Sequence, residues 1–147
     1  MMIRPALAAD LPAIETIVRD AFSMYLPRME RPPGPMLDDY AGHIAGKRAF
    51  VLAEGGTVLG MLVLIAKDDH LLLDVVAVSP AAQGMGAGRR LVDFAVAEAR
   101  RLGLRQVRLY TNEVMRENVP LYEHLGFVVT HRAEQAGYRR VFMAKEV

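Results

Sequence analysis

The sequence predicts an α/β fold of the α+β type: a mixed, mostly antiparallel sheet with a central parallel strand pair and helices on both faces. Three observations carry that expectation. Val- and Leu-rich runs at 49–54 and 57–66 meet at Gly55-Gly56, a pair that takes positive φ easily, which is a hairpin signal. Ala136-Gly137 gives a second hairpin signal near the end of the chain. Between them, His70 to Val78 reads as a strand, residues to Leu102 as a helix and Gln106 to Tyr110 as a strand, and such a unit pairs its strands in parallel.

Each element follows in order. Met2 to Arg4 is a short extended stretch. Asp10 reads as an N-cap with Pro12 just inside the helix, where Leu11, Ile14, Ile17, Val18, Ala21 and Phe22 recur at three- and four-residue spacing. Pro27 to Pro35 cannot continue that helix, because proline lacks an N–H and clashes with the preceding turn. A weaker helix is expected from Met36 to Ala45. After the first hairpin, Lys67-Asp68-Asp69 turns the chain and Ser79-Pro80 closes the strand from His70. Leu91, Val92, Ala95, Val96, Ala99 and Leu102 mark the buried stripe of a long helix ended by Gly103. A short helix from Val119 to Leu125 precedes strands at Phe127 to Thr130 and Tyr138 to Ala144.

Composition narrows the chemistry. A chain of 147 residues fits a single domain, 1–147, with a core that needs no covalent staple. Zero cysteine excludes disulfide frameworks, thiolate metal sites and a cysteine nucleophile. Ser23 and Ser79 lie outside any G-x-S-x-G elbow, and the four histidines show no ligand spacing, so no metal is expected. A net charge of +1 gives no global field for nucleic acid or an anionic membrane, and no apolar run has membrane-span length. The expectation is a soluble, cytoplasmic protein.

The most informative stretch is Val76 to Val92, VAVSPAAQGMGAGRRLV. A strand ends, then Gly84, Gly86 and Gly88 open the long helix, with Arg89 and Arg90 just inside it. Glycines let a backbone approach a ligand, and the first amides of a helix have no internal acceptor, which makes an anion site. A plain tight turn with packing glycines is the competing explanation. Two familiar phosphate loops fail: the spacing G-x-G-x-x-G started at Gly86 ends on Leu91, and a Walker A lysine followed by Ser or Thr is absent.

Gln83-Gly84-Met85-Gly86-Ala87-Gly88 instead resembles the [Q/R]-x-x-G-x-[G/A] pyrophosphate loop of the GNAT N-acetyltransferase superfamily. Val76-Ala77-Val78-Ser79-Pro80 is similar to the strand and turn that precede that loop. Asn118 to Phe127, NVPLYEHLGF, resembles the family's late signature of Asn, Tyr and Gly-Phe. The resemblance spans nearly the whole chain. It implies a GNAT-like fold, acetyl-CoA as co-substrate with no metal, and an amine acceptor; a homodimer stays open. Cofactor contacts would come from Val76, Ala77, Val78, Gln83, Gly84, Met85, Gly86, Ala87, Gly88, Arg89, Asn118 and Tyr122.

Acetyl transfer to an amine needs the cofactor held, the amine deprotonated, the oxyanion stabilised and the leaving thiolate protonated. Neutralising a lysine-like amine of pKa near 10.4 at pH 7 costs roughly 4–5 kcal/mol, so a base is wanted. Asp74 is the candidate, the one ionisable residue within Leu71 to Val78. A structural carboxylate tied to Arg108 or to a backbone amide stays open for it. The family's acidic residue at this strand position is more often Glu, so the shorter side chain points to action through a water. Tyr122 is the candidate acid: its spacing alone fits a core residue, and the resemblance aims it at the cofactor sulfur. The resemblance also gives Asn118 to the pantetheine arm and a backbone N–H near Val76 to the oxyanion.

With no thiol to carry acetyl, direct ternary-complex transfer is expected. The acceptor side would be Tyr25 to Tyr40, where Arg28 and Arg31 either attract a carboxylate or lie in a solvated loop. The expected function is N-acetylation of a small-molecule primary amine. Acetylation of a protein N-terminus or lysine, or a non-catalytic acyl-CoA-binding module, are the alternatives.

Overall fold

The computed structural model describes all 147 residues. Strands are β1 (Met2–Pro5), β2 (Ala49–Glu54), β3 (Thr57–Ala66), β4 (Leu71–Val78), β5 (Gln106–Asn112), β6 (Val128–Gln135) and β7 (Tyr138–Glu146). Helices are α1 (Leu11–Phe22), α2 (Tyr40–Ala45), α3 (Ala87–Arg101) and α4 (Asn118–His124). The strands hydrogen-bond in the order β1-β2-β3-β4-β5-β7-β6, and only β4 with β5 is parallel among the pairs whose register is defined. No helix is long and apolar enough to cross a membrane.

The chain forms two compact units. One comprises Met1–Leu64 and Val75–Phe94. Its interior is Ile14, Ile17 and Val18 of α1, Val51 and Leu52 of β2, Met61 to Val63 of β3, and Leu91 and Val92 of α3. Gly55 and Gly56, at φ 57° and 83°, join β2 to β3 as the sequence predicts, and a bulge interrupts the pairing at Leu52/Ala53. Gly60 is closely packed: a Cβ there would lie 3.0 Å from Leu91 Cδ1 and 3.2 Å from the Ala77 carbonyl, so these neighbours would have to give by a few tenths of an ångström.

The other unit comprises Ile65–Asp74 and Ala95–Val147. Leu71 and Leu73 of β4, Ala95, Val96 and Ala99 of α3, Val107 and Leu109 of β5, and Val141 and Met143 of β7 are buried there, with Phe127 beneath α4. The period of two in β4 and β5 puts these residues on one face and Leu72, Asp74, Arg108 and Tyr110 on the other.

Four local expectations need correction. Asp10 flanks α1, but its carboxylate accepts from Leu7 N–H at 2.7 Å and gives α1 no side-chain cap, because a 3-10 turn at Ala8–Asp10 comes first. The stretch expected as one helix from Met36 divides into a 3-10 turn at Gly34–Leu37 and α2, whose cap is Asp39 accepting from Gly42 N–H at 3.0 Å. Leu102 lies past α3 and is 44% exposed, because Gly103 at φ 73° reverses the chain. β6 runs five residues beyond Thr130. Every one of its residues is exposed, so no apolar alternation marks it in the sequence.

Candidate active site

In the first unit, β4 delivers Val76, Ala77 and Val78 to a short turn. Ser79 caps a 3-10 turn at Pro80–Ala82, its hydroxyl accepting from Ala81 N–H at 3.3 Å. Gln83, Gly84, Met85 and Gly86 then cross exposed to the start of α3. Gly84 and Gly86 sit at φ 82° and 75°, and a Cβ on either would meet nothing within 4 Å. Backbone conformation, not crowding, therefore demands glycine at these two positions. Gly88 differs: it lies inside α3, and a Cβ there would touch only Val78 Cγ2, at 4.0 Å.

The first α-turn closes where Arg90 N–H donates to Gly86 O at 3.1 Å, so the preceding amides at the helix start have no helical acceptor. Ala87 is buried and anchors the helix; Arg89 is exposed, and Arg90 Nη2 donates to Met1 O at 2.9 Å. An open left-handed turn feeding unpaired amides and a free-standing guanidinium is a fit for a pyrophosphate group.

On the expected acceptor side of the same unit, Arg28 lays its guanidinium over the Tyr25 ring at 5.5 Å, and Arg31 is exposed. A depression of about 220 Å³ is lined by Glu15, Arg19, Met36, Asp38 and Tyr40, among others. Asp38 accepts from His43 Nε2 at 2.9 Å, while Arg48 Nε donates to His43 Nδ1 at 3.0 Å, which fixes His43 as the Nε2–H tautomer.

In the second unit, Asp74 is half-buried on β4, and Tyr110 Oη of β5 donates to its Oδ1 at 3.3 Å. Arg108, the alternative partner, instead donates through Nε to Gln106 Oε1 at 2.8 Å and holds Nη2 3.5 Å from Asp69. His70 binds the same Asp69 at 2.7 Å and, ahead of the Arg108 charge, holds that carboxyl below the usual carboxylate range. The parallel ladder of β4 with β5 is two pairs long, Leu71 with Val107 and Leu72 with Arg108.

Tyr122 is half-buried on α4 and packs edge-on against Phe127, with ring centroids 5.9 Å apart. Asn118, one turn earlier, donates Nδ2 to the buried Thr111 Oγ1 at 3.1 Å and approaches Met115 Sδ at 3.7 Å. Those contacts tie α4 to β5. Gly126, at φ 97°, ends α4, and Lys145 Nζ donates to Leu125 O at 2.8 Å beside it.

Motif spacing did not point to Tyr110 or to Arg140, whose guanidinium lies 4.2 Å from the Tyr110 ring centroid. The available signal was the parity of β5, which puts Tyr110 on the face opposite Val107 and Leu109.

The acetyltransferase (GNAT) family model matches residues 11–127. A mycothiol acetyltransferase from Geodermatophilus obscurus is 48% identical over 66 residues, which is 45% of this chain and 21% of that protein. The matched region thus spans about a fifth of that relative's length. Among solved structures, ribosomal-protein-S18-alanine N-acetyltransferase from Escherichia coli superposes with a TM-score of 0.77 at 23% identity, covering 99% of this chain and 93% of that one. PaiA N-acetyltransferase from Thermoplasma acidophilum, solved with coenzyme A, gives 0.83 at 16% identity, covering 99% and 98%. These likenesses establish the fold, and with the family model matched across most of its length, this chain belongs to the acetyltransferase (GNAT) family.

Proposed function

We propose that this protein is an N-acetyltransferase that moves an acetyl group from acetyl-CoA to a primary amine of a small molecule, by direct transfer in a ternary complex. The observation that carries the reading is the turn at Gly84 to Gly88, whose positive φ values and unpaired helix amides suit a pyrophosphate in a chain of this family. The coenzyme A bound to the similar PaiA structure supports the same ligand.

Acetyl-CoA would supply an activated thioester. The amides of Gly84, Gly86, Ala87 and Gly88 and the Arg89 guanidinium would hold its phosphates, with Gln83 and Met85 shaping the turn, where Met85 N–H donates to Ala82 O at 3.2 Å. Val76, Ala77 and Val78 would bind its arm through the backbone. The Val76 N–H is assigned to the carbonyl oxygen, where a preorganised donor acts most strongly on developing charge. Asn118 is assigned to the arm; its Nδ2 is engaged with Thr111, so its part would be to seat α4 as well as to touch the cofactor. Asp74 takes the amine proton, directly or through one water, and Tyr122 Oη holds the proton that goes to the departing sulfur. A phenol of pKa about 10 still donates to a thiolate of pKa about 8.5 when the two are in contact.

The test is thiol release from acetyl-CoA over a panel of amines and peptide N-termini, with Tyr122→Phe and Asp74→Ala in parallel. Each variant is expected to lose about 10²-fold or more in kcat with acetyl-CoA affinity retained. Unchanged kcat in both variants would remove the catalytic roles of Tyr122 and Asp74, and acetyl-CoA binding with no thiol release from wild type on any amine or peptide would leave an acyl-CoA-binding module. Transfer to peptides alone would move the acceptor to protein N-termini, and an isolable acetyl-enzyme would rule out direct transfer.

A further inference from the structure

Asp74 is embedded in a line of side chains that the motif residues do not include. The parallel ladder ends where Leu72 pairs with Arg108, and Asp74 and Tyr110 each lie two residues further along their strands. The period of two keeps both on one face. Beyond the ladder the two side chains meet directly, Tyr110 Oη donating to Asp74 Oδ1 at 3.3 Å. Tyr110 is itself held from two directions. Antiparallel pairing sets Phe142 of β7 opposite it, with ring centroids 5.8 Å apart. Arg140, two residues earlier on β7, lies 4.2 Å above the Tyr110 ring, and its Nη1 donates to Gln135 Oε1 at 2.6 Å. The line therefore runs Gln135, Arg140, Tyr110, Asp74, from the β6–β7 hairpin to the candidate base.

We propose that Tyr110 is a positioning residue for Asp74, and that Arg140 clamps the phenol that does the positioning. An aspartate has two side-chain torsions, and a donor on one oxygen selects one orientation of the carboxylate. A phenol carries one O–H donor, and here it is the Tyr110 O–H that donates to the carboxylate. A guanidinium over the ring face restrains the ring and draws electron density from it, which strengthens the O–H as a donor. Arg is suited to this because its planar group can stack on Tyr110 while its edge donates to Gln135. The role is indirect: Tyr110 prepares the group that meets the amine.

This inference rests on Asp74 serving as the base, and the experiment separates the two. Wild type, Tyr110→Phe, Asp74→Ala and the double variant are assayed over a range of acetyl-CoA concentrations with the most active amine of the panel, with melting temperatures measured alongside. Tyr110→Phe is expected to lower kcat about 10-fold, with KM for acetyl-CoA unchanged within about 2-fold, because groups acting through one another are not additive. In the Asp74→Ala background the same substitution should change kcat by less than about 2-fold. Arg140→Leu, remote from the carboxylate, should lower kcat about 3-fold in wild type and not at all in Asp74→Ala; it carries the test if Tyr110→Phe melts early.

Equal losses from Tyr110→Phe with and without Asp74, or a loss confined to KM, would overturn the positioning role while leaving the acetyltransferase reading intact. A wild-type protein inactive on every amine, or an Asp74→Ala protein as active as wild type, would overturn the parent reading and this one together.

Discussion

Asp10 shows how a single side chain can be read correctly by place and wrongly by partner. Its position ahead of Leu11 suggests a cap, yet its carboxylate takes Arg4 Nη1 at 2.7 Å, Arg4 Nη2 at 3.1 Å and Leu7 N–H at 2.7 Å. The Arg4 hydrogen bonds, with help from Leu7 and against the cost of burial, hold the Asp10 carboxyl below the usual carboxylate range. A depressed folded-state pKa means the stabilisation is full above the unfolded value, near 3.9, and is lost as pH falls through the folded one. Asp10→Asn should therefore cost about 1–2 kcal/mol at pH 7, with the gap to wild type closing below about pH 4, as followed by urea denaturation at several pH values. Asp74 was legible as a candidate because a charge in an apolar run is anomalous; its partner was not, since Tyr110 is 36 residues away.

At the scale of elements, the glycine turn divides into two demands that a sequence cannot tell apart. Gly84→Ala forces a side chain into the left-handed region and should cost about 1–2 kcal/mol of stability with no ligand present. Gly88→Ala meets only Val78 at 4.0 Å and removes a helical glycine, so the apoprotein should gain up to about 0.5–1 kcal/mol. If Gly88 serves close approach by the pyrophosphate, that same variant should bind acetyl-CoA about 10-fold more weakly by titration calorimetry; unchanged affinity would return Gly88 to helix packing. The β6–β7 hairpin shows the opposite limit. Ala136 and Gly137, at φ 53° and 82°, are read easily as its turn, while the exposed β6 strand hides its length.

For the molecule as a whole, the test of the reading is ligand linkage. A ligand that binds only the folded state at 100 times its Kd adds about 2.7 kcal/mol. For a chain of 147 residues that is a rise in Tm of about 5–10 °C with acetyl-CoA, measured by thermal shift. NADPH or ATP, lacking the pantetheine arm, should give less. A flat response to acetyl-CoA at millimolar concentration would sink the cofactor assignment.

The order of elements, both hairpin turns, the buried stripes of α1 and α3 and the glycine turn were all determined by the sequence alone. Each depends on periodicity or on a φ preference carried within a few residues. So did the selection of Asp74 and Tyr122, one from its apolar surroundings and the other from a local signature. Only the tertiary structure decided that Asp10 belongs to Arg4, that Arg108 belongs to Asp69 and Gln106, and that Tyr110 reaches Asp74 under Arg140. The pairings of Arg108 with Asp69 and of Tyr110 with Asp74 join residues far apart in sequence. The choice among nearby partners for Asp10 and Arg108 depends on where the folded chain turns each side chain. A shift of one residue would have turned Tyr110 to the other face of the sheet.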